Sequence, residues 1–200
     1  MSTSYELLYF PLRGRAEPIR LTFALANVAF TNTGVTNWPD LKPKTPLGQL
    51  PVLVERSESG ERQIPQSMAI IRHLARSFGL DGKDEVEKTK ADVAAETIND
   101  WRSRFAPVVF AAFMNTEQAV IDKYWSDLPG MLRTVEGLLG DTKWFGGGDA
   151  PTFADVLAFD TLDSHVGLKA DCLADFPKLR ALADRFRALP SVASYLAKRG

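Results

Sequence analysis

Six polar residues near the start of the chain have types suited to gripping a small molecule: Tyr9, Arg15, Trp38, Lys42, Gln66 and Ser67. Tyr9 stands at the end of Tyr5 to Phe10, an aromatic and Leu-rich stretch that reads as a strand, and Arg15 opens the helical stretch that follows. Trp38 and Lys42 lie among Pro39, Pro43 and Pro46. Gln66 and Ser67 stand at the mouth of another helix, where free backbone N–H groups receive a carboxylate. Element ends around a small sheet are where such folds place ligands. Singly, each residue has a plainer use: Tyr9 in a core, Trp38 as a loop anchor, Ser67 as a cap. Other chemistries lack their residues. The chain has no glycine-rich phosphate loop, no Gly-x-Ser-x-Gly elbow and no His-Glu-x-x-His. His73 and His165 fall in separate expected helices without metal-ligand spacing, and read as structural or surface residues. The one cysteine, Cys172, excludes an internal disulfide and a multi-cysteine metal site, and reads as a packed thiol. No metal is expected.

The elements that must position these residues follow from patterning. Arg15 to Val28 reads as a helix with Ala16, Ile19, Phe23 and Ala24 along one side, and Pro18 fits its first turn. A short strand is expected around Phe30 to Thr33. Asn37 to Gln49 reads as a loop, because three prolines remove donors and fix φ angles. Pro51 to Glu55 and Arg62 to Ile64 read as antiparallel strands about a turn at Ser57 to Gly60, and Ser67 as the N-cap of a helix over Met68 to Phe78. This βαβ, loop, ββα order makes a small mixed sheet flanked by helices. A glycine-bearing linker over Gly79 to Gly82 closes it. Beyond lie long helical stretches at Val86 to Met114, bent near Pro107, and at Glu117 to Leu139. Shorter helices are expected at Phe153 to Asp163, Pro177 to Ala188 and Val192 to Lys198. Thr152 and Asp155 form a capping box ahead of an apolar run, which is a structural site. The expected division is an α/β domain over 1–79 and an all-helical domain over 80–200.

Bulk properties exclude some partners. Lys and Arg total 24 against 25 Asp and Glu, so there is no basic field for a nucleic-acid backbone. The start of the chain does not read as a signal peptide and none is expected there, and no apolar run approaches the roughly 20 residues that span a bilayer. A reducing, cytoplasmic setting is expected.

Together the residues resemble a family. Tyr9-Phe10-Pro11-Leu12-Arg13-Gly14-Arg15-Ala16-Glu17-x-x-Arg20 is similar to the opening of a tyrosine-type glutathione transferase, with details of the sigma class, which includes prostaglandin D synthases. The register continues through Trp38-Pro39-Asp40-x-Lys42, Pro46-Leu47-Gly48-Gln49-Leu50-Pro51, Gln66-Ser67-x-Ala69-Ile70 and Asn99-Asp100-Trp101 to Phe105, then Ala150 to Asp155. The resemblance implies a thioredoxin-like domain joined to a helical domain, acting as a homodimer with glutathione as co-substrate. It implies that Tyr9 donates a hydrogen bond to the glutathione sulfur and Arg15 places positive charge beside it. Trp38 and Lys42 would take the glycine carboxylate, Gln49 would hydrogen-bond the tripeptide, and Leu50 would pair its backbone with the cysteinyl residue ahead of a cis Pro51. Gln66 and Ser67 would take the γ-glutamyl carboxylate, and Asp100 would reach the γ-glutamyl ammonium from the other subunit. A hydrophobic electrophile is expected against Leu12, Arg13 and the first long helix at Arg104, Phe105 and Val108.

Three departures matter. Pro107 stands where the prostaglandin D synthases carry a tryptophan. Glu96, Asn99 and Asp100 offer one carboxylate fewer than their cation-binding cluster. Leu47 stands where several other classes place an aromatic key in the subunit contact. Conjugation is therefore expected ahead of prostaglandin isomerisation. Glutathione-dependent peroxide reduction is a narrower alternative, and a noncatalytic, crystallin-like protein on the same fold is the rival of another class.

Overall fold

The computed structural model describes residues 3–199. The chain forms two compact units: one runs to Leu80 and resumes at Ala188, and the other spans Asp81–Arg187.

The first unit holds four strands, β1 (Ser4–Tyr9), β2 (Thr31–Gly34), β3 (Val52–Ser57) and β4 (Gly60–Pro65), in the order β2-β1-β3-β4. β1 runs parallel to β2 and antiparallel to β3, which is antiparallel to β4. The expected βαβ–ββα order is therefore present as a single mixed sheet. Helix α1 (Glu17–Ala26) links β1 to β2, α2 (Trp38–Leu41) follows β2, and α3 (Ser67–Phe78) follows β4. Leu7, Val52, Leu53 and Val54 of the sheet are buried, as are Ile19, Leu21 and Phe23 of α1 and Ile70, Ile71 and Leu74 of α3. Phe23 is the hub of an aromatic cluster, stacking on Phe30 and meeting Tyr5 and Phe78 at tilted angles. Asn27 ends α1 in the left-handed conformation that such a cap requires, and Gly79 does the same for α3.

Two local readings change here. The segment over Asn37 to Gln49 contains α2 and a 3-10 turn at Lys42–Lys44. Pro39 and Pro43 fall near the start of these single turns, where a missing N–H costs nothing, so they initiate structure as well as interrupt it. Ser67 is the first residue of α3; the capping position belongs to Gln66, and no side chain caps the helix.

The second unit is helical: α4 (Glu85–Val109), α5 (Ala111–Met114), α6 (Gln118–Leu139), α7 (Phe153–Leu168) and α8 (Pro177–Arg187). Asp84 caps α4, its carboxylate accepting from the Val86 and Glu87 N–H groups at 3.0 Å each. The long helix carries Pro107 internally and ends at Val109, so Ala111–Met114 is a separate turn. Helix α7 is buried on nearly every side and packs against α4 and α8, as an apolar surface all round demands. The expected capping box is present at its start. Asp155, fully buried, accepts from the Thr152 N–H at 2.7 Å, the Thr152 hydroxyl at 2.9 Å and the Phe145 N–H at 3.0 Å. The last helix, α9 (Pro190–Leu196), was expected within the helical domain; it packs instead on α1, in the first unit. No helix among the described residues is long and apolar enough to cross a membrane.

His165 lies in the helical core. Its Nδ1 faces the Thr161 carbonyl at 2.7 Å and its Nε2 the Tyr124 hydroxyl at 2.5 Å, while the Trp101 indole N–H donates to that hydroxyl at 2.8 Å. Burial pulls the imidazole down to about 4 from its ordinary 6.5, and pushes the Asp155 carboxyl up to about 6 from 3.8. The two groups oppose each other. Between pH 6.5 and 4 the unfolded chain binds a proton on His165 that the folded chain refuses, so this contribution is full above 6.5 and shrinks as pH falls. Between 3.8 and 6 the folded chain holds a proton on Asp155 that the unfolded chain releases, so that contribution shrinks as pH rises. His165→Gln removes one arm alone. The stability gap between parent and variant, from urea unfolding at matched protein concentration, is expected to narrow by about 2–3 kcal/mol between pH 7 and pH 4.5. A gap that ignores pH contradicts this account.

Candidate functional site

The sheet places the candidate residues of the first unit at one set of element ends. Tyr9 closes β1, its carbonyl accepting the Val35 N–H at 2.8 Å. Its ring is buried, and its hydroxyl oxygen accepts the backbone N–H of Arg15 at 3.1 Å. No acceptor among the described residues takes the phenol's own proton. A tyrosine hydroxyl carries one donor and two lone pairs, so the proton remains available to a ligand atom.

Residue 14 must be glycine for this contact to form. Gly14 has φ +44°, and a Cβ there would stand 2.7 Å from the Tyr9 hydroxyl and 2.7 Å from the Leu12 side chain. Residues 14–16 form a 3-10 turn leading into α1, which carries the Arg15 amide back over the end of β1. The Arg15 side chain is exposed, as is Leu12, while Arg13 is half-buried. Phe10 bridges Tyr9 to the next element: its ring lies 5.6 Å from Tyr9 and 5.9 Å, edge-on, from Trp38 in the first turn of α2.

Lys42 is exposed, and its aliphatic stem runs beside Gly48, whose missing Cβ would lie 3.6 Å from it. This approach brings Lys42 to the segment that carries Gln49 and Leu50. The Leu50–Pro51 peptide is cis. Beyond it, Val52 pairs with Pro65, so Leu50 and Pro51 sit beside the opening of α3 at Gln66 and Ser67. Gln66 has φ 71° and ψ 113°, its side-chain N–H approaches the side-chain amide oxygen of Gln49 at 3.4 Å, and its backbone carbonyl receives the Ile70 N–H at 2.9 Å. The N–H groups of the first turn of α3 have no partner within the helix, and they concentrate positive potential.

The remaining candidates lie on α4 in the second unit. Asp100 and Arg104 are exposed and line a surface groove of about 670 Å³ with Glu96, Thr97 and Met131. Phe105 and Val108, expected to face an electrophile, are instead buried. Phe105 stacks on His165 with ring centres 3.6 Å apart, because its position on α4 points into the helical core. Sequence reasoning gave no role to Gly14, Phe10, Glu17 or Arg20. The legible signal was the opposed pair Glu17 and Arg20, three apart on a helix whose other positions are largely apolar.

Comparison with known proteins adds independent findings. The family signature described as Glutathione S-transferase, N-terminal domain, matches residues 5–76, and that described as Glutathione S-transferase, C-terminal domain, matches residues 99–199. The chain is 36% identical to the Hematopoietic prostaglandin D synthase of Gallus gallus, over 98% of this chain and 96% of that one. It is 37% identical to a Glutathione S-transferase P of Caenorhabditis elegans, over 97% and 92% respectively. The solved structure of the Pi-class Glutathione S-transferase of Onchocerca volvulus superposes with a TM-score of 0.86 at 36% identity, covering 98% of this chain and 93% of that one.

The Gly14 contact is open to test by stability. Gly14→Ala combines a left-handed backbone with a steric clash and should destabilise the protein by about 1–3 kcal/mol. Gly137→Ala, on an exposed helical face with nothing near the new methyl, should stabilise by up to about 1 kcal/mol. Thermal unfolding of both variants beside the parent reads the difference, and a harmless Gly14→Ala would contradict the close approach.

Proposed function

The chain belongs to the glutathione S-transferase family, and we propose that it joins the sulfur of glutathione to hydrophobic electrophiles. The observation that carries this reading is the Tyr9 hydroxyl, held at the end of β1 by the Arg15 amide with its proton left over for a ligand. In the proposed reaction that proton is donated as a hydrogen bond to the sulfur. The hydrogen bond is stronger to thiolate than to thiol, so it lowers the thiol pKa and raises the population of the nucleophile at neutral pH. Sulfur then attacks the electrophilic carbon, the carbon–sulfur bond forms, and the leaving group departs with its electron pair or the adduct takes up a proton from water.

The remaining roles follow the charges of the tripeptide. The Trp38 indole N–H and the Lys42 ammonium take the glycine carboxylate, and the Lys42 stem is already laid along Gly48 beside this segment. Leu50, ahead of the cis peptide to Pro51, offers its backbone to the cysteinyl residue, with Gln49 alongside. Gln66, Ser67 and the first turn of α3 receive the γ-glutamyl carboxylate, where the helix dipole favours an anion. Arg15 adds positive charge near the thiolate. Leu12, Arg13 and Arg104 contact the electrophile, with Phe105 and Val108 as the packing behind Arg104. Asp100 of the partner subunit in a homodimer would pair with the γ-glutamyl ammonium. Prostaglandin isomerisation is the lesser reading, since Pro107 offers no indole to the substrate.

Tyr9→Phe removes only the donor. With glutathione and a panel of aryl halides, unsaturated carbonyls and organic hydroperoxides, the variant is expected to lose roughly 10-fold to 1,000-fold in kcat while glutathione affinity stays within a few-fold. A rate within twofold of the parent, on a substrate limited by chemistry, defeats the assignment. No turnover by the parent on any of the panel would instead favour the noncatalytic rival.

Asp100→Asn tests the shared site. Light scattering should show a dimer for parent and variant, and calorimetry should show weaker glutathione binding by the variant, by about tenfold for a lost charge-assisted hydrogen bond. Unchanged affinity in a confirmed dimer removes the cross-subunit role, and a monomeric parent removes the arrangement altogether.

A further inference from the structure

Helix α1 buries a charged cluster that no step of the proposed reaction uses. Glu17 is 1% exposed and Arg20 8% exposed, on a helix that otherwise buries apolar side chains. Arg20 reaches four groups from its place beneath the turn between β1 and α1. Its Nη1 donates to the Leu12 carbonyl at 3.1 Å, the Arg13 carbonyl at 3.4 Å and the Glu17 carboxylate at 3.1 Å, and its Nε donates to the Asn32 side chain on β2 at 3.0 Å. The other oxygen of Glu17 faces the end of the chain. It accepts the Tyr195 hydroxyl of α9 at 3.0 Å and lies 3.4 Å from an Arg199 guanidinium nitrogen.

These contacts form a continuous chain to the reactive group. The Arg13 carbonyl that meets Arg20 also accepts the Glu17 N–H at 3.0 Å, closing the turn that holds Gly14 and Arg15. The Arg15 amide in that turn donates to the Tyr9 hydroxyl. A few tenths of an ångström at this donor changes how firmly the phenol oxygen is held and where its own proton points.

We propose that the C-terminal segment sets the reactivity of Tyr9: Tyr195 and Arg199 hold Glu17, Glu17 and Arg20 hold the Leu12 and Arg13 carbonyls, and the turn so fixed aims the Tyr9 hydroxyl. Tyr195 and Arg199 are then positioning residues that touch no substrate. The inference rests on the reading of Tyr9 as the donor to the glutathione sulfur. Burial, reinforced by the Glu17 carboxylate, pushes the Tyr195 phenol upward, so it remains a donor across the working pH range.

The test compares Tyr195→Phe with Tyr9→Phe in the full chain. Three quantities are measured: glutathione affinity by calorimetry, the pKa of the bound thiol from its thiolate absorbance, and the pH profile of kcat/KM with an aryl halide. Tyr195→Phe should raise the bound-thiol pKa by about one unit, so that kcat/KM falls roughly tenfold at pH 6.5 and meets the parent value at high pH. At pH 6.5, where the bound thiol is still mostly protonated, glutathione affinity should stay within about twofold. Arg199→Gln, which keeps a hydrogen-bond donor for Glu17 and removes the charge, should move the same pKa in the same direction if Tyr195→Phe does not fold. A parental thiol pKa in both C-terminal variants, with a raised one in Tyr9→Phe, overturns the proposal and leaves the Tyr9 reading intact. A loss of activity equal at every pH also overturns it, since that is what general loosening of the fold would give. A parent whose bound thiol titrates like free cysteine overturns the Tyr9 reading and the proposal with it.

Discussion

The hydrogen bond from the Arg15 amide to the Tyr9 hydroxyl decides what the first unit can do. A phenol buried beside a sheet normally finds a carbonyl to receive its proton, and then it is a structural group. Here the partner is a donor, so the oxygen is engaged while the proton stays unassigned within the described residues. This polarity requires the backbone N–H to arrive from the far side of a tight turn. The turn requires a residue at position 14 without a Cβ, in a left-handed conformation. The turn in turn exposes the carbonyls of Leu12 and Arg13, which need donors of their own. Arg20 supplies them, and its burial demands Glu17 as a counter-charge. One contact at the end of β1 thus accounts for a glycine, two buried charges and the docking of α9.

The helical unit solves a different problem, that of a central helix with polar groups in a dry interior. Asp155 and His165 lie on α7, and each is surrounded by partners instead of water. Asp155 accepts three hydrogen bonds and ties the loop at Phe145 to the start of α7. His165 spans the Thr161 carbonyl and the Tyr124 hydroxyl, with Phe105 stacked on its face. An unpartnered group in either place would cost about 1–3 kcal/mol, so these networks fix the register of α7 against its neighbours. Phe105 is held in this network, which is why it serves the core and leaves Arg104, one residue before, to the surface.

Elements set by local pattern were legible in the sequence. The strand at β1, the helix at α1 and the capping box at Thr152 and Asp155 each depend on residues within a few positions of one another. What was not legible depends on distance. Tyr195 meets Glu17 across 178 positions, and a short amphipathic helix such as α9 carries no mark of which core it joins. Glu17 and Arg20 have the spacing of an ordinary surface ion pair, and only the assembled unit buries them. The prolines of residues 39–46 illustrate a subtler ambiguity, for the same residue that breaks a helix interior also starts a helical turn. Phe105 fits an apolar wall and an apolar core equally well, and the choice is made by how α4 rotates over α7.

Gln66 shows where the fold stores strain. β4 ends at Pro65 and α3 begins at Ser67, so one residue must turn the chain from extended to helical. With no loop to spread the change, that residue adopts φ 71° and ψ 113°, a conformation that costs a side-chain-bearing residue about 1–3 kcal/mol. The contact to Gln49 at 3.4 Å is too long to offset this. The offset comes from both flanks: Pro65 is fixed opposite Val52, and Ile70, Ile71 and Leu74 are buried, each contributing about 1.5–3 kcal/mol by leaving water. A longer, relaxed connection would remove the strain but let the first turn of α3 fray. The first-turn N–H groups would then lose their fixed direction, and with it the preorganisation that makes a helix N-terminus useful to an anion. The strain therefore sits at the end of the sheet where β1 and β4 finish, beside the Leu50–Pro51 segment and away from the core, and the core supplies the stability that holds it there.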